Sequence, residues 1–158
     1  MLDRIERERL KSDLIFPWAV VAVMFVALAA YVAACHTLGG ELQQHLPEQQ
    51  RGLFRTIAYA VAIVTFPITN LIRHIMVRLN QTMPGDTLPK RRYLTTIIVS
   101  MALMEGIGIL GFVMYLLGDS FNTLYIFTGL AALGLFLYRP KPEEYLSIVE
   151  AFVAKRQE

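Results

Sequence analysis

The sequence predicts an all-α, polytopic membrane protein with four transmembrane helices and both termini in the cytoplasm. Of its 158 residues, 55% are hydrophobic and 18% are charged, and the mean hydropathy is +0.46. The charges lie in a few clusters between long apolar stretches, whereas a soluble domain interleaves apolar and charged residues at helical or strand period. The stretches also lack the period-two alternation of a membrane barrel, so the expected spans are helices.

Four apolar stretches are predicted to cross the bilayer within a transmembrane domain of residues 1–140. The first begins at Leu14 and carries no Asp, Glu, Lys or Arg before Glu41. The second has only 17 uncharged residues between Arg55 and Arg73, which is at the short end for a spanning helix. The predicted spans cover residues 14–38, 54–77, 93–117 and 121–138.

Positively charged residues alternate between the two sides of these spans. The first connection carries only Arg51, and the third, around Gly118, carries no Lys or Arg. By the positive-inside rule this alternation places both termini in the cytoplasm. The compact loops favour a multi-pass protein of the bacterial inner membrane. The basic run Lys90, Arg91 and Arg92 is also expected to attract anionic lipid headgroups, at about 1 kcal/mol per residue.

Two segments are predicted to lie outside the membrane. Residues 80–89 contain two prolines, a glycine and an aspartate, which is typical of a turn. In the tail, residues 141–158, the apolar residues Tyr145, Ile148 and Phe152 recur at helical spacing. This amphipathic helix is expected to lie on the inner leaflet, to dock on a partner or to fray.

Glu105 is the candidate functional residue, because it is the single charge in the apolar run from Tyr93 to Gly118. It falls at the middle of that run and therefore near the bilayer midplane. A charged side chain there costs roughly 2.5–3.5 kcal/mol on insertion scales. A mostly protonated Glu105, held by polar neighbours, is therefore expected.

Three polar groups are predicted at the same depth. Thr65 lies at the middle of the second span and Thr128 at the middle of the fourth. Pro67 has no N–H to donate, which frees the carbonyl of Ile63. A protonated Glu105 carboxyl can donate to that carbonyl and accept from a threonine hydroxyl, so these four residues form a predicted ion-binding or buried polar site.

The third span is predicted to pack closely against its neighbours. Small residues lie on several of its sides, as closely packed membrane helices require; they are Ala102, Gly106, Gly108 and Gly111. The glycines also match a dinucleotide-binding fingerprint by pattern, but they follow no strand and open no βαβ unit.

The segment from Met101 to Leu117, MALMEGIGILGFVMYLL, resembles the carboxylate-bearing helix of the ATP synthase proteolipid, subunit c. The resemblance covers about one helix; otherwise the chain is similar to small four-span bacterial membrane proteins. In the proteolipid family the carboxylate carries a proton or a sodium ion while a ring of subunits rotates. By this resemblance Glu105 is the ion carrier, with Thr65 or a backbone carbonyl as co-ligand.

The remaining polar residues indicate no catalytic or metal site. His36 and His74 are predicted near opposite faces of the membrane, so a shared haem is not expected, and Cys35 alone forms no disulfide framework. A polar strip, Thr69, Asn70, Arg73 and His74, is consistent with a snorkelling interface or with contacts to lipid headgroups or a substrate.

Two functions are consistent with these observations. The first is a non-enzymatic subunit or accessory of a membrane assembly, with lipids, further copies or other membrane subunits as partners. The second is translocation of protons or sodium ions, with Glu105 as carrier. No cofactor, metal or nucleic acid is expected in either case, and a lipid- or solute-binding protein using the basic rim is a weaker third hypothesis.

Overall fold

In a computed structural model the chain is all-helical over the residues that it describes, which are 4–82 and 87–156, with side chains from residue 8. The all-α prediction is confirmed for these residues. The middle of the predicted turn, residues 83–86, and the end of the predicted tail, residues 157–158, lie outside them. The helices are α1 (Arg4–Asp13), α2 (Ile15–Leu42), α3 (Glu48–Thr82), α4 (Pro89–Leu116), α5 (Phe121–Leu137) and α6 (Pro142–Arg156).

Three helical segments are long and apolar enough to cross a membrane. They are Glu8–Leu42, Glu48–Thr82 and Pro89–Leu116. Helix α5 has 17 residues, or about 25 Å at 1.5 Å per residue, which is less than a typical hydrocarbon core. It is long and apolar enough to cross a membrane only together with α6, from which it is bent by 43°. The described chain is thus compatible with a membrane protein of three spans, or four if this bent pair is one span.

Helix α3 is longer than the span predicted for it. The prediction that a turn begins at residue 80 is therefore wrong, because the helix continues past that residue. The Asn80 amide donates to the Arg92 carbonyl at 3.2 Å and to the Thr96 hydroxyl at 2.9 Å. The Gln81 amide donates to the Ser147 hydroxyl at 2.9 Å. These contacts extend α3 beyond the apolar stretch, because neighbouring elements bind its polar last turn.

Helix α4 is the centre of the bundle and packs against α2, α3, α5 and α6. Its contact with α5 is close because each helix presents glycines to large side chains of the other. A Cβ on Gly134 would collide with Met104, and one on Gly111 would lie 2.5 Å from the Phe127 Cβ. The apolar core therefore forms around α4, and its fully buried members include Ile97, Met101, Met104, Ile107, Leu124, Phe127, Ala131 and Leu135.

Helix α6 docks on the bundle of its own chain, which none of the three interpretations of the tail predicted. Tyr145 and Ile148 are buried in the same apolar cluster as the core of α4. The Tyr145 hydroxyl also donates to the Asp13 carboxylate at 2.7 Å. Glu143 in the first turn and Lys155 in the last complement the helix dipole. We call this end of the molecule, where α1, α6 and the start of α4 meet, the basic end.

The opposite end is closed by the two short connections, α2–α3 and α4–α5. Gly118 has φ of +99°, a conformation that L side chains rarely adopt, and it turns the chain between α4 and α5. Its carbonyl accepts from Arg51 at 2.9 Å. The Gln43 amide donates to the Tyr115 and Asp119 carbonyls at 3.2 and 3.0 Å, so both connections are bonded to each other.

Candidate functional site

Glu105 lies inside the bundle on the central helix α4. Its side chain is 6% exposed, and neither carboxyl oxygen has a hydrogen-bond partner within the described part of the chain. An ionised carboxylate without partners in an apolar interior is strongly disfavoured, so the group is uncharged here. The site is thus a neutral, buried carboxyl with unused hydrogen-bonding capacity.

Tyr31 of α2 is the polar neighbour of this carboxyl, and its hydroxyl interacts electrostatically with Glu105. The Tyr31 ring stacks on Phe112 with centroids 5.3 Å apart. One turn earlier on α2, Leu28 fills the space that a Cβ on Gly108 would occupy. The carboxyl therefore lies in the contact between α2 and α4, and close packing at Gly108 brings the two helices together.

The other residues predicted around Glu105 do not bond to it. The Thr65 hydroxyl donates to the Val61 carbonyl at 2.7 Å, within its own helix. The Ile63 side chain is 68% exposed, and Thr128 is half-buried on α5. With no partner at either Glu105 oxygen among the described residues, the role of these residues as ion ligands stays a prediction.

The four small residues of α4 fall into two groups. Gly108 and Gly111 lie against Leu28 and Phe127, where a Cβ would collide. A Cβ on Gly106 would meet nothing within 4 Å, and Ala102 is exposed. Within this chain, the first pair permits close helix packing and the second pair lies on an open face.

A second buried polar group lies at the basic end. Arg73 of α3 is 4% exposed and its guanidinium donates to the Glu144 carboxylate at 2.7 and 3.3 Å. It also donates to the backbone carbonyls of Tyr138 at 2.5 Å and Arg139 at 3.1 Å. The Tyr93 hydroxyl donates to Glu144 at 3.2 Å. This network joins α3, α4, α6 and the end of α5.

A cavity of about 210 Å³ adjoins this network, between α3 and α6. Its lining residues are Asn70, Arg73, His74, Val77 and Glu144. Of the polar strip predicted on α3, Thr69 and Arg73 are buried, whereas Asn70 and His74 are exposed. The strip is therefore not uniformly exposed, although Asn70, Arg73 and His74 all line the cavity.

The basic run predicted to bind headgroups is only partly available. Lys90 lies 3.4 Å from the Asp13 carboxylate and over the Phe16 ring. Arg92 donates to the Asn80 carbonyl at 3.1 Å, whereas Arg91 is exposed. Two of the three cations thus take part in contacts between helices.

A third charged contact closes the opposite end. Arg55 donates to both Asp119 oxygens, at 2.6 and 2.7 Å. Burial by itself would raise the pKa of Asp119, but the hydrogen bonds and charge of Arg55, together with hydrogen bonds from the Ser120 N–H and the Thr123 hydroxyl, outweigh it and hold the pKa below the ordinary value of 3.8. Asp119 is thus a buried acid that stays charged, unlike Glu105.

The histidines and the cysteine occupy separate places. His36 lies 2.7 Å from the Tyr125 hydroxyl and stacks on Phe121 near the opposite end, whereas His74 lies at the basic end. Cys35 is buried, and its carbonyl accepts from Tyr115 at 3.3 Å. Among residues 4–82 and 87–156, no group of three or more His, Cys, Asp or Glu is placed to hold a metal ion.

No family model, curated protein or solved structure matches this chain. Sequence reasoning missed Tyr31, although a lone tyrosine within the first span was an available signal. It also missed the Arg73–Glu144 pair, since 71 residues separate the two in sequence and no local pattern links them.

Proposed function

We propose that the protein is a non-enzymatic subunit or accessory of an assembly in the bacterial inner membrane, and that the open face of α4 is its contact surface. The observation that supports this is a stripe of exposed or half-buried residues on a helix whose other faces are buried or half-buried. Ile98, Ile109 and Val113 are 41–43% exposed, and the small residues Ala102 and Gly106 lie between them.

The spacing of the stripe favours a helix as its occupant. Residues 98, 102, 106, 109 and 113 recur every three or four positions, so they share one face of α4. Small residues in the middle of such a face allow two membrane helices to approach closely. Lipid chains alone would require no small residues there.

A second copy of this chain is the proposed occupant. All copies of a membrane protein insert with the same orientation. Two α4 helices therefore meet in parallel and present the same residues to each other, as a twofold interface requires. Glu105 is a packing group in this proposal rather than a contact to the other copy, because both its oxygens are buried within the bundle.

The test is a substitution in the middle of the stripe. We expect Gly106→Leu to weaken self-association in lipid nanodiscs or bilayers about tenfold or more, measured by energy transfer between labelled copies. Gly129→Leu is the matched control, since a Cβ on Gly129 of α5 also meets nothing within 4 Å but its helix lacks the second small residue one turn earlier. Unchanged association of Gly106→Leu, or greater weakening by Gly129→Leu, contradicts the proposal.

Proton translocation is a second candidate, and one observation favours it. Glu105 is a buried carboxyl whose two oxygens have no hydrogen-bond partner among the described residues. A tyrosine hydroxyl lies beside it, and the carboxyl can take up and release a proton without breaking an ion pair. The resemblance of the segment from Met101 to Leu117 to the proteolipid helix agrees with this role.

Proton flux into proteoliposomes distinguishes the two candidates. A carrier role predicts that Glu105→Gln abolishes the flux while the protein stays folded, because glutamine has no titratable proton. A sodium gradient in place of the proton gradient tests the other predicted ion. Equal flux for wild type and variant, or no labelling of Glu105 by dicyclohexylcarbodiimide at any pH, rejects the carrier role.

A further inference from the structure

The cavity at the basic end has the composition of a binding site, independently of the proposed function. Asn70, Arg73, His74 and Val77 lie at positions i, i+3, i+4 and i+7 of α3, so they share one face, and Glu144 of α6 closes the other side. At about 210 Å³ it is smaller than the roughly 300–1,000 Å³ of sites for drug-sized ligands. This volume suits a small polar headgroup.

Two of the lining side chains have hydrogen-bonding capacity that the bundle leaves unused. Asn70 and His74 are exposed, and within the described part of the chain no hydrogen bond or ion pair involves either side chain. An amide and an imidazole one turn apart can both donate to one phosphate group. They are therefore available to a ligand, whereas Arg73 is already held by Glu144.

The charges of the cavity favour a zwitterion over an anion. Arg73 and Glu144 form an ion pair with 2.7 Å between nitrogen and oxygen, so their charges largely cancel. Glu144 accepts two hydrogen bonds from Arg73 and one from Tyr93. A carboxylate has about four acceptor positions, which leaves room for one ammonium donor.

The surface above the cavity is apolar. Ile63 and Pro67 lie on the same face of α3, seven and three residues before Asn70, and both are exposed. Arg73 ends the 17-residue uncharged stretch of this helix, so the cavity lies where apolar surface gives way to charge. In a membrane this boundary is the headgroup level, and an acyl chain can lie along Ile63 and Pro67.

We propose that this cavity binds the headgroup of an aminophospholipid, with Asn70 and His74 donating to its phosphate and Glu144 accepting from its primary amine. The ligand class is thus a phosphate ester of ethanolamine, and its source is a membrane lipid. The buried Arg73 positions Glu144, to which it donates two hydrogen bonds.

The test uses the full-length protein in detergent and native mass spectrometry to count bound lipids. We expect a short-chain phosphatidylethanolamine to bind at one saturable site, and a phosphatidylcholine of equal chain length to bind about tenfold more weakly, because a trimethylammonium group has no N–H to donate. Free O-phosphoethanolamine should bind more weakly than the lipid, since it has no acyl chain for the apolar face. Equal or tighter binding of the free compound would mean a soluble ligand and would overturn the assignment to a lipid.

Variants test the residues. We expect His74→Leu and Asn70→Leu each to weaken phosphatidylethanolamine binding roughly tenfold, which corresponds to the loss of one charge-assisted hydrogen bond. His45→Leu is the matched control, because His45 is an exposed histidine at the opposite end. Wild-type affinity in both cavity variants, or tighter binding of phosphatidylglycerol than of phosphatidylethanolamine, overturns the proposal.

Discussion

Glu105 and Arg73 are both buried ionisable side chains in long helices, but their surroundings differ completely. They are 6% and 4% exposed, respectively. Arg73 donates to a carboxylate and to two backbone carbonyls, whereas neither oxygen of Glu105 has a partner in the described part of the chain. The first is therefore a charge that joins helices, and the second is a neutral group that the bundle tolerates.

Position along the helices explains this difference. The carbonyls of Tyr138 and Arg139 follow the last residue of α5, Leu137, where the helix leaves its final carbonyls without intrahelical partners. Arg73 uses these groups. Glu105 lies in mid-helix, where neighbouring backbone groups bond within their own helices. A buried charge thus finds partners at helix ends, and a buried group at mid-bundle depends on side chains alone.

The largest effect is expected at the paired site. Arg73→Leu removes the cation paired with the Glu144 carboxylate and the donor to two backbone carbonyls, and we expect a loss of about 3–5 kcal/mol in the free energy of unfolding. Unfolding by sodium dodecyl sulfate in mixed micelles measures it. Arg91→Leu, which removes an exposed arginine from α4, is the control, and the double variant Arg73→Leu/Glu144→Leu should recover most of the loss. A loss below that of the control would show that the network does not hold the helices together.

The opposite sign is expected at the unpaired site. Glu105→Met replaces a carboxyl that has no partner among residues 4–82 and 87–156 by an apolar side chain of similar length, and we expect a gain of about 1 kcal/mol. The same unfolding experiment measures it, with Glu105→Gln as the control that keeps polar atoms in place. If Glu105→Met destabilises the protein as strongly as Arg73→Leu, then Glu105 also makes stabilising contacts, and the proposed difference between the two sites is wrong.

Thr69 extends the comparison to an uncharged group. Its hydroxyl is fully buried one turn before Arg73, yet it has no partner among the described residues. Thr69→Val should therefore stabilise the protein by about 0.5–1 kcal/mol, less than Glu105→Met because one polar atom is removed instead of two. Ser100→Ala is the contrasting variant, since the Ser100 hydroxyl donates to the Thr96 carbonyl at 2.8 Å, and it should gain nothing. Destabilisation by Thr69→Val would reveal a hydrogen bond at that hydroxyl.

The smallest effect is expected at the partnered acid of the opposite end. Because Arg55 holds the folded-state pKa of Asp119 below 3.8, this pair stabilises the fold above about pH 4, and the contribution is lost as the pH falls through the lower, folded-state value. Arg55 is 34% exposed, so screening limits the contribution to below about 1 kcal/mol. Acid unfolding measured by circular dichroism should be shallower for Asp119→Asn below about pH 4, the ordinary pKa of an aspartate. Identical profiles would contradict the charged state of Asp119.

Much of the architecture was predictable because it depends on local composition. Apolar stretches such as the one from Tyr93 to Gly118 form helices whatever surrounds them, since backbone groups in an apolar medium must bond within the segment. The helix ends were less predictable. Helix α3 extends to Thr82 because Asn80 and Gln81 find partners in α4 and α6, and such contacts leave no mark in the local sequence.

The candidate site was predicted only in part for the same reason. Depth along a span follows from counting residues, and it identified Glu105 as the buried group. Rotation about the helix axis does not follow from counting, so Thr65 and Thr128 were named on depth alone, whereas the neighbour of Glu105 is Tyr31. The split of the small residues into a packed pair and an open pair depends on rotation in the same way.

By itself the sequence determined that the chain is helical and apolar, that Glu105 is the isolated charge within it, and where the basic clusters lie. Each of these depends on the order of residues along one segment. The tertiary structure decided which groups meet: Tyr31 with Glu105, Arg73 with Glu144, and Arg55 with Asp119. Such pairs join residues 64–74 positions apart, and their contacts depend on how the helices rotate and pack against α4, which periodicity within one helix does not specify.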